Sequence, residues 1–317
     1  MSGREKRLKP ERAAVKVRFR LEKYKLPIKT VSNMENIFPA LVCPAKWGKL
    51  MVCTDASDEG QNAVAVALEL ARACNSQVIA VQAVHVVPEF QAVAPDLPAT
   101  LGKAVRENMA VIKAAAEKLG VALQTVVPEG QSPHAAIVAA AEKISPDLII
   151  MGRCGKTALA RILMGNVTAR VIGNSPINVL VVPRGAALGF QRILVASDGS
   201  SYSQAAWELA LAMAKQANSR LIGVAVAQEE GEIIESKAII RRMLTASRLA
   251  GVPMKGINPQ GVAADTGIVQ QAIKHEVDLI IMGSYGRTGL KKLLMGSVTE
   301  RVIGDSPCPI LVVKQPG

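Results

Sequence analysis

The chain has 317 residues, half of them apolar and one fifth charged, which suggests two folded domains and excludes a disordered chain. Only nine residues are aromatic, so the cores must be aliphatic, and the exposed aromatic platforms of single-strand nucleic-acid binders are lacking. The formal net charge is +12, but residues 1–30 hold 11 basic and three acidic residues and so carry +8 of it. The basic character therefore belongs to the tail, and we do not expect nucleic acid to bind the folded body.

The five cysteines and three histidines are scattered and form neither a C-x-x-C pair nor a zinc-ligand spacing. Sparse cysteines of this kind suit a reducing compartment. No uncharged apolar run approaches the ~18 residues of a membrane span, and no apolar segment follows the basic N-terminus as in a secretory signal. The sequence thus predicts a soluble, cytoplasmic protein without a metal site of its own.

An internal repeat sets the domain organisation. Residues 148–182 and 279–313 align without a gap and share 22 of 35 positions, which indicates a tandem duplication. Upstream, 50–55 matches 193–198 at an offset of 143, whereas the later segments have an offset of 131, so the first repeat carries 12 extra residues. This insertion contains Pro88, Pro95 and Pro98 and is predicted to be a longer loop.

We therefore divide the chain into a basic, partly disordered N-terminal extension (1–47), a first unit (48–183), a linker (184–189) and a second unit (190–315). Residues 15–22 alternate strictly between apolar and charged side chains, which fits an added strand, an anchor for anionic surfaces, or a solvated tail, the interpretation we favour. Met34 is an alternative start, in which case residues 1–33 are dispensable.

Short aliphatic runs alternate with helical patterns in each unit. In the second unit the predicted strands are Ile193–Ala196, Leu221–Ala227, a weak one at Val252–Ile257, Leu279–Met282 and Ile310–Val313. The predicted helices are Ser203–Ala217, Ile233–Ala250, Gly267–Glu276 with Asp265 as N-cap, and Ser297–Gly304. This alternation predicts right-handed crossovers and a parallel, doubly wound sheet with helices on both faces. The first unit repeats the pattern, with Ser132 and Pro133 starting its third helix.

A glycine loop follows the fourth strand of each unit. In the second unit Gly283, Gly286 and Gly296 are followed by Ser297, which sits where an N-cap is expected. Glycines suit a backbone that bends through positive φ or approaches a ligand closely, and a helix N-terminus attracts phosphate. Asp198 ends the first strand at the same rim, where it can accept hydrogen bonds from a ribose or a base amine. Tight turns alone also use such glycines, but the repetition of the pattern favours phosphate binding.

Two other nucleotide motifs are excluded. Gly155-Lys156-Thr157 resembles the end of a Walker A loop, but Ile150 stands where that motif needs its first glycine. No G-x-G-x-x-G follows a first strand, so a dinucleotide site is not supported. Cys154 lies inside the first glycine loop, where its oxidation would block a ligand, although an incidental cysteine is the simpler interpretation.

At these residues the chain resembles the universal stress protein family in its tandem two-domain form. The family pattern G-x2-G-x9-G-[S/T] is complete in the second unit, whereas the first has Asn166 in the last position. The resemblance implies two domains, each with an open five-stranded parallel sheet in the order 3-2-1-4-5. It also implies that the units pair through their final strands, Asn178–Val182 and Ile310–Val313, and that a homodimer can form.

The resemblance further implies an adenine nucleotide, ATP or another, with Mg²⁺ on its phosphates. The implied binding residues of the second unit are Asp198, Val226, Gly283, Gly286, Gly296, Ser297 and Val298. The weaker set in the first unit is Asp55, Ala83, Gly152, Gly155, Gly165, Asn166 and Val167. We accordingly expect tighter binding in the second unit, and expect Gly296→Val to cost more affinity than Gly165→Val because of positive φ and filled phosphate space.

Three functions remain open. The first is an adenine-nucleotide-binding stress-response regulator without catalytic residues, since no Ser–His–Asp set or general base accompanies the loop. The second is a ligand-free scaffold that acts through protein contacts, and the third is a very slow ATPase. An ATP pyrophosphatase would need S-G-G-x-D-S after the first strand, where residues 195–200 read VASDGS.

Overall fold

A computed structural model describes residues 41–85, 97–130, 132–154, 164–287 and 295–315. The expectations for residues 1–33, for Gly155 and for the prolines at 88 and 95 lie outside the described residues. Pro98 is an exception to the predicted loop, because it lies in the first turn of a long helix, Leu97–Lys118. Proline is tolerated there because the first N–H groups of a helix have no partner within it.

The first unit contains seven strands and four helices among its described residues. The strands are β1 (Lys49–Cys53), β2 (Gln77–Val81), β3 (Val84–His85), β4 (Leu123–Val126), β5 (Glu129–Gly130), β6 (Leu148–Gly152) and β7 (Val179–Val182). The helices are α1 (Asp58–Cys74), α2 (Leu97–Lys118), α3 (Pro133–Ile144) and α4 (Asn166–Asn174). The two-residue strands β3 and β5 pair with each other at the rim.

The second unit repeats this order. Its strands are β8 (Arg192–Ala196), β9 (Arg220–Val224), β10 (Met254–Ile257), β11 (Leu279–Gly283) and β12 (Ile310–Val313). Its helices are α5 (Ser201–Ala217), α6 (Ile233–Leu249), α7 (Ala264–Lys274) and α8 (Ser297–Asp305). The predicted strand Leu221–Ala227 begins at Arg220 and ends early, at Val224, although Ala227 still forms an isolated parallel bridge with Gln260.

The sheet topology confirms the predicted order and pairing. The strands of the main sheet run β10-β9-β8-β11-β12 in the second unit and β4-β2-β1-β6-β7 in the first. Because the short strands β3 and β5 lie outside this sheet, both units have the order 3-2-1-4-5 when its strands are numbered along the chain. The two final strands pair antiparallel, with Leu311 opposite Leu180, so the units share one ten-stranded sheet. This pairing covers two aliphatic edges that would otherwise be exposed.

The core lies on both faces of the sheet. Alternate strand residues point to opposite sides: Leu50 and Val52 join one cluster with α1, α2, α5 and α6, while Met51 and Cys53 join the other with α3, α4, α7 and α8. The largest fully buried side chains are Leu, Met and Ile. The aliphatic core predicted from the composition is thus confirmed.

Helix caps repeat between the units. Ser57 and Ser200 each accept a hydrogen bond from the backbone N–H three residues on, at 3.1 and 3.2 Å. Asn75 and Asn218 end the same helices at φ 52°. The predicted N-cap Asp265 is wrong, because α7 begins at Ala264, so that Asp265 is its second residue and Ala263 its cap.

The segment before β1 is fastened to the first unit by a disulfide between Cys43 and Cys74, at the end of α1. Cys53, Cys154 and Cys308 are buried free thiols. The disulfide departs from the expectation of reduced cysteines, since a spacing of 31 residues gives no sequence signal. The backbone carbonyl of Cys43 also accepts a hydrogen bond from Gln216 of the second unit.

The predicted linker packs against the first unit. Asn62, on α1, donates its side-chain amide to the carbonyls of Pro183 and Ala186 at 2.9 and 3.1 Å. Leu188 is buried in the core. The segment between the units is therefore held in place by both hydrogen bonds and apolar contacts.

Candidate functional site

The carboxyl ends of the second unit's strands bring the predicted residues together. A cavity of ≈ 250 Å³ opens at this rim, between the strand ends and helices α6, α7 and α8. All seven residues predicted for the second unit line it: Asp198, Val226, Gly283, Gly286, Gly296, Ser297 and Val298. Residues separated by as many as 100 positions in sequence thus share one concave surface, as expected at the strand ends of a doubly wound sheet.

Gly283 and Gly286 are needed for close approach rather than for positive φ. A Cβ on Gly283 would lie 2.8 Å from the backbone of Tyr202, and one on Gly286 would lie 2.6 Å from Oδ2 of Asp198. Gly296 has φ −66° and Gly165 has φ −64°, so the strain argument for Gly296→Val is wrong. A Cβ on Gly296 would make only ordinary contacts, at 3.5 Å.

Helix α8 presents its N-terminus to the cavity. Gly296, rather than Ser297, is its N-cap, because the Gly296 carbonyl already accepts the first helical hydrogen bond, from Glu300 at 3.0 Å. Thr299 fixes this end by donating its hydroxyl to the Gly283 carbonyl at 3.0 Å. The first backbone N–H groups of the helix have no partner within it, so this end suits an anion.

Asp198 fastens the glycine loop to the strand end. Its Oδ1 accepts from the backbone N–H of Ser200 at 3.0 Å, and its Oδ2 from that of Arg287 at 2.8 Å. Burial opposes its charge, but hydrogen bonds from Ser200 and Arg287 outweigh burial and lower the pKa of Asp198. The sequence predicted an acceptor for a ligand, and the structure shows that this carboxylate, with about four lone-pair sites, already accepts hydrogen bonds from the protein.

Arg287 bridges the cavity mouth, which the sequence analysis did not predict. Its guanidinium pairs with Glu235, on α6, at 2.5 Å and also donates to the backbone carbonyl of Asp198. A second acidic side chain, Glu232, accepts from the backbone N–H of Gln228 at 2.7 Å. The acids at the mouth therefore have partners. A basic residue at the same loop position of both repeats, Lys156 and Arg287, was the available signal.

The first unit places the equivalent residues at its own rim, with a different local chemistry. Oδ1 of Asp55 accepts from Ser57 at 3.0 Å, Ala83 follows β2, and Gly152 ends β6. Gly165 is the N-cap of α4, so Asn166 and Val167 are its first two residues and Asn166 is not a cap. Gly155 lies outside the described residues.

An acidic side chain contacts the first glycine loop. The backbone N–H of Cys154 donates to Oε2 of Glu59, in the first turn of α1. Burial raises the pKa of Glu59, against the lowering effects of this hydrogen bond and of Arg153 and Arg184. The position equivalent to Glu59 in the second unit is Tyr202, whose ring centroid lies 5.3 Å from that of Tyr285.

The environment of Cys154 disfavours a reactive thiolate. The side chain is 8% exposed, and burial followed by the Glu59 charge raises the thiol pKa. A low pKa is what makes a cysteine nucleophilic or easily oxidised. The interpretation of Cys154 as an incidental cysteine therefore gains support.

Within the described part of the chain, no three His, Cys, Asp or Glu side chains gather in a group that could hold a metal ion. Among the helices described, none combines the length and the apolar composition that crossing a bilayer requires.

Comparison with known proteins identifies the family. The profile of the universal stress protein family matches residues 46–183 and again 189–314. Universal stress protein MJ0531 of Methanocaldococcus jannaschii is 34% identical over 143 residues, which cover 40% of this chain and 84% of that protein. A universal stress protein of Thermus aquaticus is 34% identical over 137 residues, 39% of this chain and 99% of that protein.

The solved structures support the fold. A universal stress protein from Archaeoglobus fulgidus superposes with a TM-score of 0.69 over 84% of this chain and 96% of that chain, at 22% identity. One from Pseudomonas aeruginosa gives 0.59 over 84% and 93%, at 19% identity. The chain therefore belongs to the universal stress protein family, with two tandem domains of that family's α/β fold.

Proposed function

We propose that the chain is an adenine-nucleotide-binding regulator whose ligand, ATP or a related nucleotide, binds in the second unit. The observation that carries this proposal is that all seven predicted residues of the second unit line one cavity. They comprise the residues of the glycine loop and the start of α8, together with Asp198 and Val226. The cavity, at ≈ 250 Å³, is slightly below the ~300–1,000 Å³ of typical ligand clefts. It suits a nucleoside whose phosphates extend along the loop at its mouth.

Each part of the ligand has a matching part of the site. The apolar walls supplied by Val224, Ile239 and Met282 fit the faces of a base. The carboxylate oxygens of Asp198 suit ribose hydroxyls as hydrogen-bond acceptors, and the backbone beside Val226 suits the edge of the base. The N–H groups of Ser297 and Val298 suit the phosphates, and Mg²⁺ would bind through those phosphates rather than through protein carboxylates.

We further propose that the protein is not an efficient enzyme. The acids nearest the cavity mouth are engaged: Glu235 with Arg287, and Glu232 with the backbone of Gln228. Neither is poised as a free base for an attacking water. Nucleotide-dependent regulation is the function this arrangement suits, with very slow ATP hydrolysis as the second candidate. We also propose a cytoplasmic location, where ATP is available and where the Cys43–Cys74 disulfide would be reduced.

Two measurements test the proposal. Mass spectrometry of small molecules released from the purified, denatured protein should identify an adenine nucleotide, whereas a ligand-free scaffold would release none. Calorimetric titration with ATP should then give saturable binding. Ser297→Asn, which copies the first unit, should bind a few-fold more weakly, because an Asn side chain replaces the small hydroxyl. Absence of both copurified nucleotide and ATP binding would contradict the proposal and favour the scaffold.

A further inference from the structure

We propose that the first unit carries its own anion: the Glu59 carboxylate binds the start of the first glycine loop and keeps nucleotide phosphates out. The chain then takes one nucleotide, in the second unit, although both units retain the glycines. This inference rests on the proposed function and adds to it the residue that silences one of the two sites.

The packing of α1 against β6 brings Glu59 to the loop. A Cβ on Gly152 would lie 3.0 Å from both the backbone and the Cβ of Glu59, so the first turn of the helix touches the strand end. From there the Glu59 side chain reaches the backbone N–H of Cys154, which donates to its Oε2. Burial raises the pKa of Glu59, and this hydrogen bond, Arg153 and Arg184 oppose that rise. The N–H at the start of the loop thus already has a carboxyl oxygen of the protein as its partner.

The second unit has no acid at this place. The repeat offsets put Tyr202 at the position of Glu59 and Tyr285 at that of Cys154. The same close approach exists there, since a Cβ on Gly283 would lie 2.8 Å from Tyr202. The two tyrosine rings contact each other, and Tyr285 lines the cavity. Geometry is therefore conserved between the units, and the difference is a charge.

A chain of amide side chains in the first unit includes the counterpart of a residue that lines the cavity in the second unit. Gln61 donates to Asn108 at 2.6 Å, and Asn108 donates to Gln82 at 2.7 Å, which forms an amide chain from α1 across α2 to the end of β2. Asn108 is buried. The offset of 131 places Ile239 at its position in the second unit, where that side chain lines the cavity.

A carboxylate and a phosphate cannot share this loop at little cost. Both are anions that compete for the same backbone donor, and they would lie only a few ångströms apart in a partly buried place, where repulsion is weakly screened. We expect the charge on Glu59 to weaken phosphate binding at least tenfold, and its transfer to the second unit to do the same there.

The test transfers the charge between the units. Tyr202→Glu should bind ATP at least tenfold more weakly than Tyr202→Gln, a matched control that removes the same ring without adding charge. In the reverse direction, Ser297→Asp first disables the second site by placing a carboxylate at the start of α8. The double variant Ser297→Asp/Glu59→Gln should bind ATP at least tenfold more tightly than the single variant Ser297→Asp. Glu59→Tyr in the same background is a second replacement, which introduces the residue that the second unit has at this position.

Stoichiometry from native mass spectrometry, with thermal unfolding as a check on folding, separates the outcomes. One ATP per wild-type chain, together with both charge effects, supports the inference. Two ATP per wild-type chain, or no gain from either Glu59 replacement in the Ser297→Asp background, would overturn it while nucleotide binding by the family site stands. No ATP bound by the wild type or by the Glu59 variants would overturn the proposed function and the inference together.

Discussion

At the residue scale, the two units differ in backbone strain at the residue that follows the aspartate after the first strand. Gly199 has φ +83°, and its counterpart Ala56 has φ +61°. The left-handed region costs a residue with a Cβ about 1 kcal/mol, because the Cβ approaches a carbonyl oxygen. The turn before α1 is therefore strained in the first unit and relaxed in the second.

Ala56→Gly removes about 1 kcal/mol of strain, which raises the free energy of unfolding. The larger backbone entropy that glycine loses on folding offsets part of this gain, so we expect a small net stabilisation. The matched change Gly199→Ala should lower it by more, since the new Cβ would also lie 3.2 Å from Ile239 and 3.3 Å from Arg287. Urea unfolding of both variants checks the pair. If Ala56→Gly destabilises the protein by as much as the ~0.5–1 kcal/mol that glycine's backbone entropy alone costs, the turn holds no strain.

Lys314 makes stability depend on pH. It lies half-buried beside the first unit, donates to the Ile172 carbonyl, and burial lowers its pKa from 10.5 to about 8. Between these values the unfolded chain binds a proton that the folded chain has lost, so stability should rise as pH increases from about 8 towards 10.5. Below about pH 8 both states are protonated and this contribution is flat.

Lys314→Met isolates that contribution. The difference in unfolding free energy between the wild type and the variant should shift in favour of the wild type as the pH rises through this window. Chemical denaturation at a series of pH values measures it. A difference that stays constant from pH 7 to 10 would mean that Lys314 keeps its ordinary pKa.

At the element scale, the sequence predicted the order of the elements better than the helix caps. The strand Ile310–Val313 agrees with the prediction because its apolar run is bounded by proline and a charged residue. The predicted start of α8 at Ser297 is confirmed, but the cap was assigned one residue late: serine is a common capping residue, whereas here the Gly296 carbonyl accepts the first helical hydrogen bond. The glycines, Ser297 and Asp198 followed from the repeated spacing, whereas Val226 and Val298 came from the resemblance to the family.

The contacts of Glu59, Arg287 and Cys43 could not be predicted in the same way. Each depends on how a side chain crosses between elements that are far apart in sequence: Glu59 to Cys154, Arg287 to Glu235, Cys43 to Cys74. Periodicity reports which face of an element is buried, but not which partner a polar side chain meets. Contacts of this kind are seen only in the folded structure.

The disulfide between the segment before β1 and the end of α1 should stabilise the oxidised protein. It closes a loop of 31 residues, which corresponds to roughly 3–4 kcal/mol in the chain-entropy description. Cys74→Ser should lower the free energy of unfolding by up to that amount without reductant. With a dithiol reductant the variant and the wild type should coincide. A difference that persists under reduction would show that Cys74 acts through packing instead.

At the scale of the whole molecule, the two units form one sheet. The antiparallel pairing of β7 with β12 is reinforced on either side by Lys314, whose backbone N–H donates to Asn178 at 2.8 Å, and by Arg153, which donates to the Gly304 carbonyl at 2.8 Å. Gly304 lies near the end of α8, whose other end faces the cavity. The first unit thus supports the helix on which the second unit's site is built.

Removal of residues 1–33 should leave nucleotide binding nearly intact. This segment carries most of the net charge but no part of either repeat. Its attraction for phosphates is long-range and is screened within ~8 Å at physiological salt. ATP titrations of the truncated and full-length proteins at low and physiological salt check this, with a small loss expected only at low salt. A large loss at physiological salt would place the tail at a site and refute the domain boundaries.

We propose that the second unit holds the nucleotide at the start of α8. One comparison tests it directly: ATP titration by calorimetry of two matched variants, Ser297→Asp and Asn166→Asp. Each places a carboxylate at the first residue of a helix, where the helix dipole favours a negative charge and folding is not impaired. The same carboxylate repels a phosphate ~5 Å away by about 3 kcal/mol at an effective dielectric of ~20. We predict at least a tenfold loss for Ser297→Asp and no change for Asn166→Asp. Equal effects, or the reverse order, would contradict the claim.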